Sequence, residues 1–495
     1  MNRKAKNSKT KIPSPNSTLN IQNSKLPKGW VWVRLGEIVK IVYGKDLSVK
    51  QFKKSGYPVF GANGVIGFYD KYLYEEEQVL ISCRGAYSGK INLSPPKSFI
   101  THNSLILKIN ENFRLLKKFL FYILQSVDKS KLVTGTAQPQ VTINNAINIE
   151  LPLPPLAEQH RIVAKVEEIF TKLDAGVDAL KKAKEQIKRY RQAVLKYAFE
   201  GKLTEEWRKS FELLMLNGEL KETQNSTLNT QHSKLNIQHP KFSIQSSTFK
   251  TENSAFNTQN SPLTTQNSKL PRGWVWTRLD SCSELITKGE SPKWQGFNYV
   301  EDGIPFIRSE NVLWGKVDIS NTVKIPIDFH NKLKRSQIKG YDILINLVGA
   351  SIGRCGVVQP NINTANINQA VALIRTNNLL APFYLMYLLL SPKFQQIIHS
   401  NKVETARPNI SLEDLKTLIL PLPSFPEQQK IVEEIERRFS VADEVEKAID
   451  NSLKQAERLR QSILKKAFEG KLVPQDPNDE PADKLLERVR KSLQL

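Results

Sequence analysis

At 495 residues and 40% apolar composition, the chain has room for two to four domains with real cores, which excludes a wholly disordered protein. Its 72 Lys plus Arg against 49 Asp plus Glu leave a formal net charge of +23, a balance that favours a polyanionic partner, nucleic acid foremost. Three widely separated cysteines, Cys83, Cys282 and Cys355, give neither a disulfide framework nor metal-ligand spacing and fit a reducing cytoplasm. The N-terminus is polar and lysine-rich, so no signal peptide is expected. The longest apolar run, Ala381–Leu390, is about half the roughly 20 residues that cross a bilayer, and it reads as a buried helix.

In chain order, residues 1–25 are polar and expected to be disordered. Residues 26–150 read as a first α+β domain, with apolar runs QVLIS, SLILKI and INIEL as strands between Gly, Pro and Asn clusters, and a helix near Phe113–Gln125. Residues 151–203 open with prolines 152, 154 and 155 and then become strongly helical, with Glu158 placing negative charge near the helix N-terminus. Residues 204–269 read as a polar flexible linker, because 29 of the 48 residues in 221–268 are Asn, Gln, Ser or Thr. Residues 270–419 repeat the α+β plan, with strands at IPFIR, DILINL and AVALIR and a helix near Pro382–Ile398. Residues 420–472 repeat the helical region, and 473–495 form a tail with a short helix.

The strongest signal is the duplication. Residues 151–203 and 420–472 align over 53 positions without a gap, with 24 identities. LPKGWVWVRL at 26–35 is echoed by LPRGWVWTRL at 270–279. Sparse anchors match inside the domains: Gly85–Lys90 with Gly349–Arg354, 136–140 with 405–409, and Tyr57–Val59 with Ile304–Phe306. Between these anchors the sequences differ freely, as expected if two copies of one scaffold read two different targets.

The first helical region carries a heptad stripe through Val166, Ile169, Leu173, Gly176, Leu180, Ala183, Ile187, Tyr190, Val194 and Tyr197. The second offers a less regular stripe through Val432, Ile435, Phe439, Ala442, Ile449, Leu453, Ala456 and Ile463. Gly201 and Gly470 are stop signals. Helices this long need a partner for their apolar stripe, and the other copy supplies one. Antiparallel pairing would make a spacer of fixed length with a globular domain at each end.

Both domains are basic: 17 Lys plus Arg against 9 Asp plus Glu in 26–150 (+8), and 17 against 12 in 270–419 (+5). Phosphate contacts position a protein, whereas Arg, Lys, Asn, Gln and Ser read base edges. The candidate DNA-binding residues in the first domain are Lys45, Asn63, Arg84, Tyr87, Lys90, His102, Asn103, Gln138 and Gln140. Those in the second are Lys288, Lys293, Arg308, Asn311, Asn346, Ser351, Arg354, Asn368, Arg407 and Asn409. Catalytic motifs are not found. GAYSGKI lacks phosphate-loop spacing, no DPPY or NPPF motif marks an adenine methyltransferase, and the six histidines form no ligand pattern. No catalytic, cofactor-binding or metal-binding residue is therefore assigned.

The paired LPLPPLAEQHRIV and LPLPSFPEQQKIV, each opening a helix that ends in AFEGKL, resemble the specificity subunit of type I restriction–modification systems. The tail LVPQDPNDEPA, the segments GWVWVRLGEI and GYPVFGANGVIGFYD, and the TKGESPKW and IPFIRSENV stretches strengthen the likeness, which covers nearly everything outside 1–25 and 204–269. It implies an α+β architecture: two target-recognition domains of similar fold, separated by a pair of long antiparallel coiled-coil helices, with an internal pseudo-two-fold repeat. It also implies a non-catalytic chain that reads a bipartite, asymmetric site on double-stranded DNA. Such a chain docks two modification subunits, which methylate adenine at N6 using S-adenosylmethionine, and restriction subunits that use ATP and Mg. The linker of 204–269 is longer than the family pattern. Two other readings stay open from the residues alone: a fused restriction/methyltransferase protein with its own activity, and a coiled-coil scaffold that binds no DNA.

Overall fold

The computed structural model describes residues 26–109, 115–135, 138–216, 270–400 and 409–493. The chain divides into two compact units. The first takes residues 1–183 and 447–495, and the second takes 184–446. The tail of 1–25 and most of the linker read from the sequence lie outside the described residues.

In the first unit the chain runs through β1 (Val31–Arg34), the single turn α1 (Leu35–Ile38), β2 (Val39–Tyr43), β3 (Tyr57–Gly61) and β4 (Gly64–Tyr69). It continues through β5 (Val79–Ser82), β6 (Ile91–Leu93), β7 (Phe99–Ile100) and β8 (Ser104–Ile109). Helices α2 (Lys117–Ser126), α3 (Lys129–Leu132) and α4 (Ile143–Ile147) precede β9 (Glu150–Leu153). The strands form an antiparallel sheet in the order β2-β8-β5-β6, a three-stranded sheet β4-β3-β7 and the pair β1-β9. All four residues of β5 are buried, as its unbroken apolar run requires of a strand covered on both faces. The helix read at Phe113–Gln125 begins at Lys117, and INIEL is divided between the end of α4 and the start of β9.

The first long helix, α5 (Leu156–Phe199), starts once the prolines are passed, and α6 (Glu205–Leu216) follows it. This second helix corrects the linker boundary. Residues 205–216 are helical because EEWRKSFELLML carries an apolar face, Trp207 stacks on Phe211 at 4.8 Å, and the preceding Thr204 is tied to Glu427.

The second unit repeats the plan. It contains β10 (Val275–Arg278), β11 (Ser283–Lys288), β12 (Ile304–Ile307), β13 (Gly315–Lys316), β14 (Val323–Ile325) and α7 (Ile327–Lys332). Next come β15 (Ile343–Asn346), β16 (Cys355–Val357), β17 (Asn366–Ile367), β18 (Val371–Thr376), α8 (Pro382–Leu390) and α9 (Pro392–Ser400). It ends with α10 (Leu412–Lys416), β19 (Ile419–Leu422) and the start of α11 (Phe425–Phe468), whose later half belongs to the first unit with α12 (Ala482–Leu493). The sheet orders are β11-β18-β15-β16-β13, β14-β12-β17 and β10-β19, the first unit's three sheets with one added strand. In each three-stranded sheet the middle strand has one antiparallel and one parallel neighbour. The single helix read at Pro382–Ile398 is two helices. Pro392 offers no N–H to continue α8 and instead opens α9.

Both long helices contain 44 residues, about 66 Å at about 1.5 Å per residue. Within each unit, one half of α5 lies beside the opposite half of α11. In the first unit Val166 and Phe170 share a core with Ile463, Leu464, Ala467 and Phe468, and Asp174 bonds to Arg460. In the second, Val194, Leu195 and Ala198 share a core with Ile431, Val432 and Ile435, and Arg191 bonds to Asp443 at 2.6 Å. Numbers rise along one helix as they fall along the other, so the pairing is antiparallel.

Along α5 the seam departs from the apolar stripe read in the sequence at every second position, whereas along α11 it keeps every residue read from Ile435 to Ile463. Tyr190 and Tyr197 are 42% and 48% exposed, and Gly176 is exposed too. The inward residues of α5 run Val166, Phe170, Leu173, Val177, Leu180, Lys184, Ile187, Arg191, Val194, Ala198, with Ile169 half-buried beside them. Those of α11 run Ile435, Phe439, Ala442, Glu446, Ile449, Leu453, Ala456, Arg460, Ile463, Ala467. Both follow steps of four and three, the coiled-coil spacing. Charged residues occupy four of these positions, Lys184, Arg191, Glu446 and Arg460, which a stripe traced on apolar residues alone passes over. Their charges are met locally: Glu446 lies 3.6 Å from Lys184 and 3.1 Å from Arg191, and Arg460 stacks 4.2 Å from the Phe170 ring.

Candidate nucleic-acid interface

In each unit most of the described candidate residues lie at one end of the four- or five-stranded sheet. In the first unit that rim comprises the end of β2, the start of β8, the end of β5 and the start of β6. Lys45 follows β2, donating its N–H to Ile100 at 2.9 Å and accepting from His102 at 3.2 Å. The His102 Nδ1 lies 2.5 Å from Asp46. The β3–β4 turn is fastened to the same rim: Ser82 Oγ donates to the Ala62 carbonyl, Ser104 Oγ to Gly61 at 3.1 Å, and Lys90 Nζ to Asn63 Oδ1. Lys90 also stands 6.0 Å from the ring of Tyr87, which is 50% exposed. Arg84 and Gln140 face each other in an isolated antiparallel bridge, and Ser88 Oγ reaches the Pro139 carbonyl at 2.6 Å. Lys45, Asn63, Arg84, Tyr87, Lys90, His102, Arg84's partner Gln140 and the nearby Gln138 and Asn103 therefore share one polar, accessible edge.

The loop between β5 and β6 owes its shape to glycine. Gly85 and Gly89 have φ of 76° and 79°, a region where a Cβ is strained. The chain then closes through Gly89 N–H to Ser82 O and Ser82 N–H to Lys90 O, each 2.9 Å. In the second unit Gly349 and Gly353 have φ of 78° and 80°, and the bonds Gly353 N–H to Asn346 O (3.0 Å) and Asn346 N–H to Arg354 O (2.9 Å) close the same loop. Lys288 ends β11, Asn368 precedes β18, and Ser351 and Arg354 lie on the loop, with Asn409 bridged to Val348. Lys293 stands beside Trp294, which is 75% exposed, and Trp314 is 56% exposed on the turn before β13.

Two candidates are not at this surface. Asn346 is fully buried; its Nδ2 donates to the Ser309 carbonyl at 2.9 Å, the role Ser82 plays in the first unit. Asn311 is 5% exposed, with its Oδ1 accepting the Arg308 N–H at 2.9 Å. Both are loop fasteners: a short amide beside a strand end bonds backbone as readily as bases. Arg308 is half-buried and paired with Glu310, and the Asn368 Oδ1 caps Ala370 N–H at 3.1 Å. Arg407 lies outside the described residues. Among the described residues no cluster of His, Cys, Asp or Glu is placed to hold a metal. Cys83, Cys282 and Cys355 are buried and unpaired, and burial pushes each thiol up.

The sequence reading also missed how each domain is locked to its long helix. Glu158 is 1% exposed and accepts the Trp30 Nε1–H at 2.9 Å; Glu427 is 3% exposed and accepts the Trp274 Nε1–H at 3.0 Å. The next residue works identically in both copies. Gln159 donates to Pro154 O (3.1 Å) and accepts from Leu116, while Gln428 donates to Pro423 O (3.0 Å) and accepts from Ala381. The EQ of each helix start and the W of each GW motif carried this signal. The two locks differ in charge. Glu427 is met by Arg208 and Thr204, whereas burial pushes the Glu158 carboxyl above its ordinary range, against the pull of its Trp30 bond and of Arg161.

Two units of like sheet topology, each with an accessible polar rim, have the form of a recognition module. The chain matches the type I restriction modification DNA specificity domain model twice, over 27–189 and 271–455, and belongs to that family. It is 28% identical over 508 aligned positions to the type I restriction enzyme EcoBI specificity subunit of Escherichia coli, covering 96% of this chain and 94% of that protein. The EcoKI specificity subunit of Escherichia coli strain K12 is 24% identical, covering 94% and 96%. A solved structure described as the basis of complex assembly and conformational transition of the type I R-M system shares the fold, with TM-score 0.61 and 21% identity over 90% of this chain and all of that one. No helix among the described residues is long and apolar enough to cross a membrane.

Proposed function

We propose that this chain is the DNA-reading component of a type I restriction–modification assembly. Each unit contacts one half of a bipartite, asymmetric duplex site through its sheet-end rim. The observation that carries this reading is the pair of rims: one backbone construction, built twice, bearing different exposed side chains. In this reading the chain is itself non-catalytic and acts in the cytoplasm. It docks two adenine-N6 methyltransferase subunits, which bring S-adenosylmethionine, and restriction subunits, which bring ATP and Mg. Lys45, Asn63, Lys90, Lys288, Lys293 and Arg354 hold phosphate or base edges, with Gln138, His102, Asn103 and Asn368 beside them.

The test is to co-express the chain with its modification partner and map methylated adenines across the host genome. One motif split by a gap of unspecified bases is the expected result. A single uninterrupted motif would refute two readers. The purified chain alone, given DNA, S-adenosylmethionine and ATP, should neither methylate nor cut; activity there would favour a fused enzyme. Gel shifts of the assembled methyltransferase on random duplexes should weaken steeply with salt. A flat salt response would favour a protein scaffold.

A further inference from the structure

The two rims differ most informatively where a second strand returns to the glycine loop. In the first unit Val141 N–H bonds Cys83 O at 3.0 Å, setting Arg84 opposite Gln140. In the second, Ile410 N–H bonds Leu347 O at 2.9 Å, setting Val348 opposite Asn409. Residues opposite each other in an antiparallel bridge project to the same face, with Cβ atoms about 4.5–5.5 Å apart. All four side chains are exposed. Six residues beyond Arg84 and Val348 the loop keeps a cation in both units, Lys90 and Arg354, whereas in the bridged pair the Arg84 cation gives way to apolar Val348 and the Gln140 amide to the shorter amide of Asn409.

A position that must hold phosphate keeps its charge whatever the sequence read, because every nucleotide carries the same phosphate. A position that reads a base changes with its target. We propose that the bridged pairs Arg84–Gln140 and Val348–Asn409 are the equivalent base-reading pairs of the two half-sites, with Lys90 and Arg354 as the phosphate contacts that seat them. This rests on the DNA-reading function proposed above. The chemistry follows the side chains. Arg84 presents a two-pronged donor suited to guanine O6 and N7, and Gln140 a donor–acceptor amide suited to adenine N6 and N7. Asn409 offers the same amide match to adenine, while the methyl groups of Val348 suit the thymine methyl. With a Cβ separation of about 5 Å against a rise of about 3.4 Å per base pair, each pair reads neighbouring base pairs.

The experiment uses the full chain assembled with its modification subunits, and the readout is the genome-wide methylated motif together with binding to duplexes carrying that motif. Arg84→Val should erode preference at one position of one half-site by about tenfold or more and leave the other half unchanged. Val348→Arg should create a guanine preference in the other half alone. Arg84→Lys keeps the charge and loses the fork, so it should relax that same position while leaving the salt slope intact. Lys90→Gln should weaken binding to all sequences alike and lower the salt slope by about one. Three outcomes overturn the proposal: an unchanged motif in properly assembled Arg84→Val and Val348→Arg complexes, a change in both half-sites, or a uniform loss of affinity for Arg84→Val with the salt slope lowered by about one. An uninterrupted motif from the unaltered chain would instead remove the two-reader function on which the proposal rests.

Discussion

Replacing Arg208 with Met removes the one cation bonded to the Glu427 carboxylate among the described residues, while keeping most of the side-chain volume. Arg208 Nη2 lies 2.7 Å from Glu427 Oε1, and the pair is well buried, with side-chain exposures of 13% and 5%. The guanidinium also bonds the Gly201 carbonyl at 2.8 Å and lies 5.6 Å from the Trp274 ring. After the change the carboxylate keeps the neutral donors Thr204 at 2.7 Å and Trp274 at 3.0 Å, with no cation bonded to it among the described residues. Breaking a buried pair by deleting one partner costs about 3–5 kcal/mol, because the remaining charge is stranded in a low dielectric. For a unit of this size each kcal/mol lowers Tm by about 2–4 °C, so the second unit should melt about 6–20 °C lower. Thermal unfolding of the full chain, with hydrogen exchange to locate the loss, measures this. The double variant Arg208→Met/Glu427→Gln removes both charges and should recover much of the stability. A shift worth less than about 1 kcal/mol, or a double variant worse than the sum of its singles, would show that the carboxylate is not stranded.

Glu158→Gln probes the counterpart that has no cation bonded to it among the described residues, and should behave oppositely. The folded state raises the Glu158 carboxyl above its ordinary value, so its contribution is fully present below that ordinary value and is lost as pH rises through the raised one. Glutamine still accepts from Trp30, so stability near neutral pH should hold or improve and the acid-side slope should flatten; denaturant midpoints at pH 4 and pH 7 test this, and a large neutral-pH loss would contradict it. Ile187→Asp places a charge on the half-buried seam, and should cost about 2–3 kcal/mol and reduce methylation while leaving the motif intact. A changed motif from Ile187→Asp would show that the seam reaches the readers. Exchanging 26–150 for the corresponding domain of a relative should change one half of the methylated site, and a change in both halves would contradict modular reading.

The repeat made most of the architecture legible. Apolar runs such as VLIS and VALIRT became central strands, and Gly201 and Gly470, both at φ 70°, end the two long helices as their positions suggest. What escaped is physical in origin. Periodicity traced on apolar residues skips a seam position filled by Lys184, Arg191, Glu446 or Arg460, because charge carries no apolar signal even when it faces inward. A polar residue type at a strand end does not reveal whether it meets solvent or backbone, so Asn346 and Asn311 read as surface residues although they fasten loops. The bridge between Arg84 and Gln140 joins residues far apart in sequence, and only the fold reveals them as neighbours.

The first unit is assembled from both ends of the chain. Ala482 donates its N–H to the Gly29 carbonyl at 2.9 Å, Asp479 pairs with Arg161, and Phe468 meets Phe119 edge-on at 5.6 Å. During synthesis, therefore, the amino-terminal half must wait for residues 447–495, while the intervening unit is complete as soon as residue 446 has emerged. At about 5–20 residues per second the stretch from residue 183 to residue 495 takes about 16–62 s. Over that time Phe119 and Val166 lack their covering, which makes a ribosome stalled late in the message a source of sticky nascent chains and gives chaperones a defined substrate.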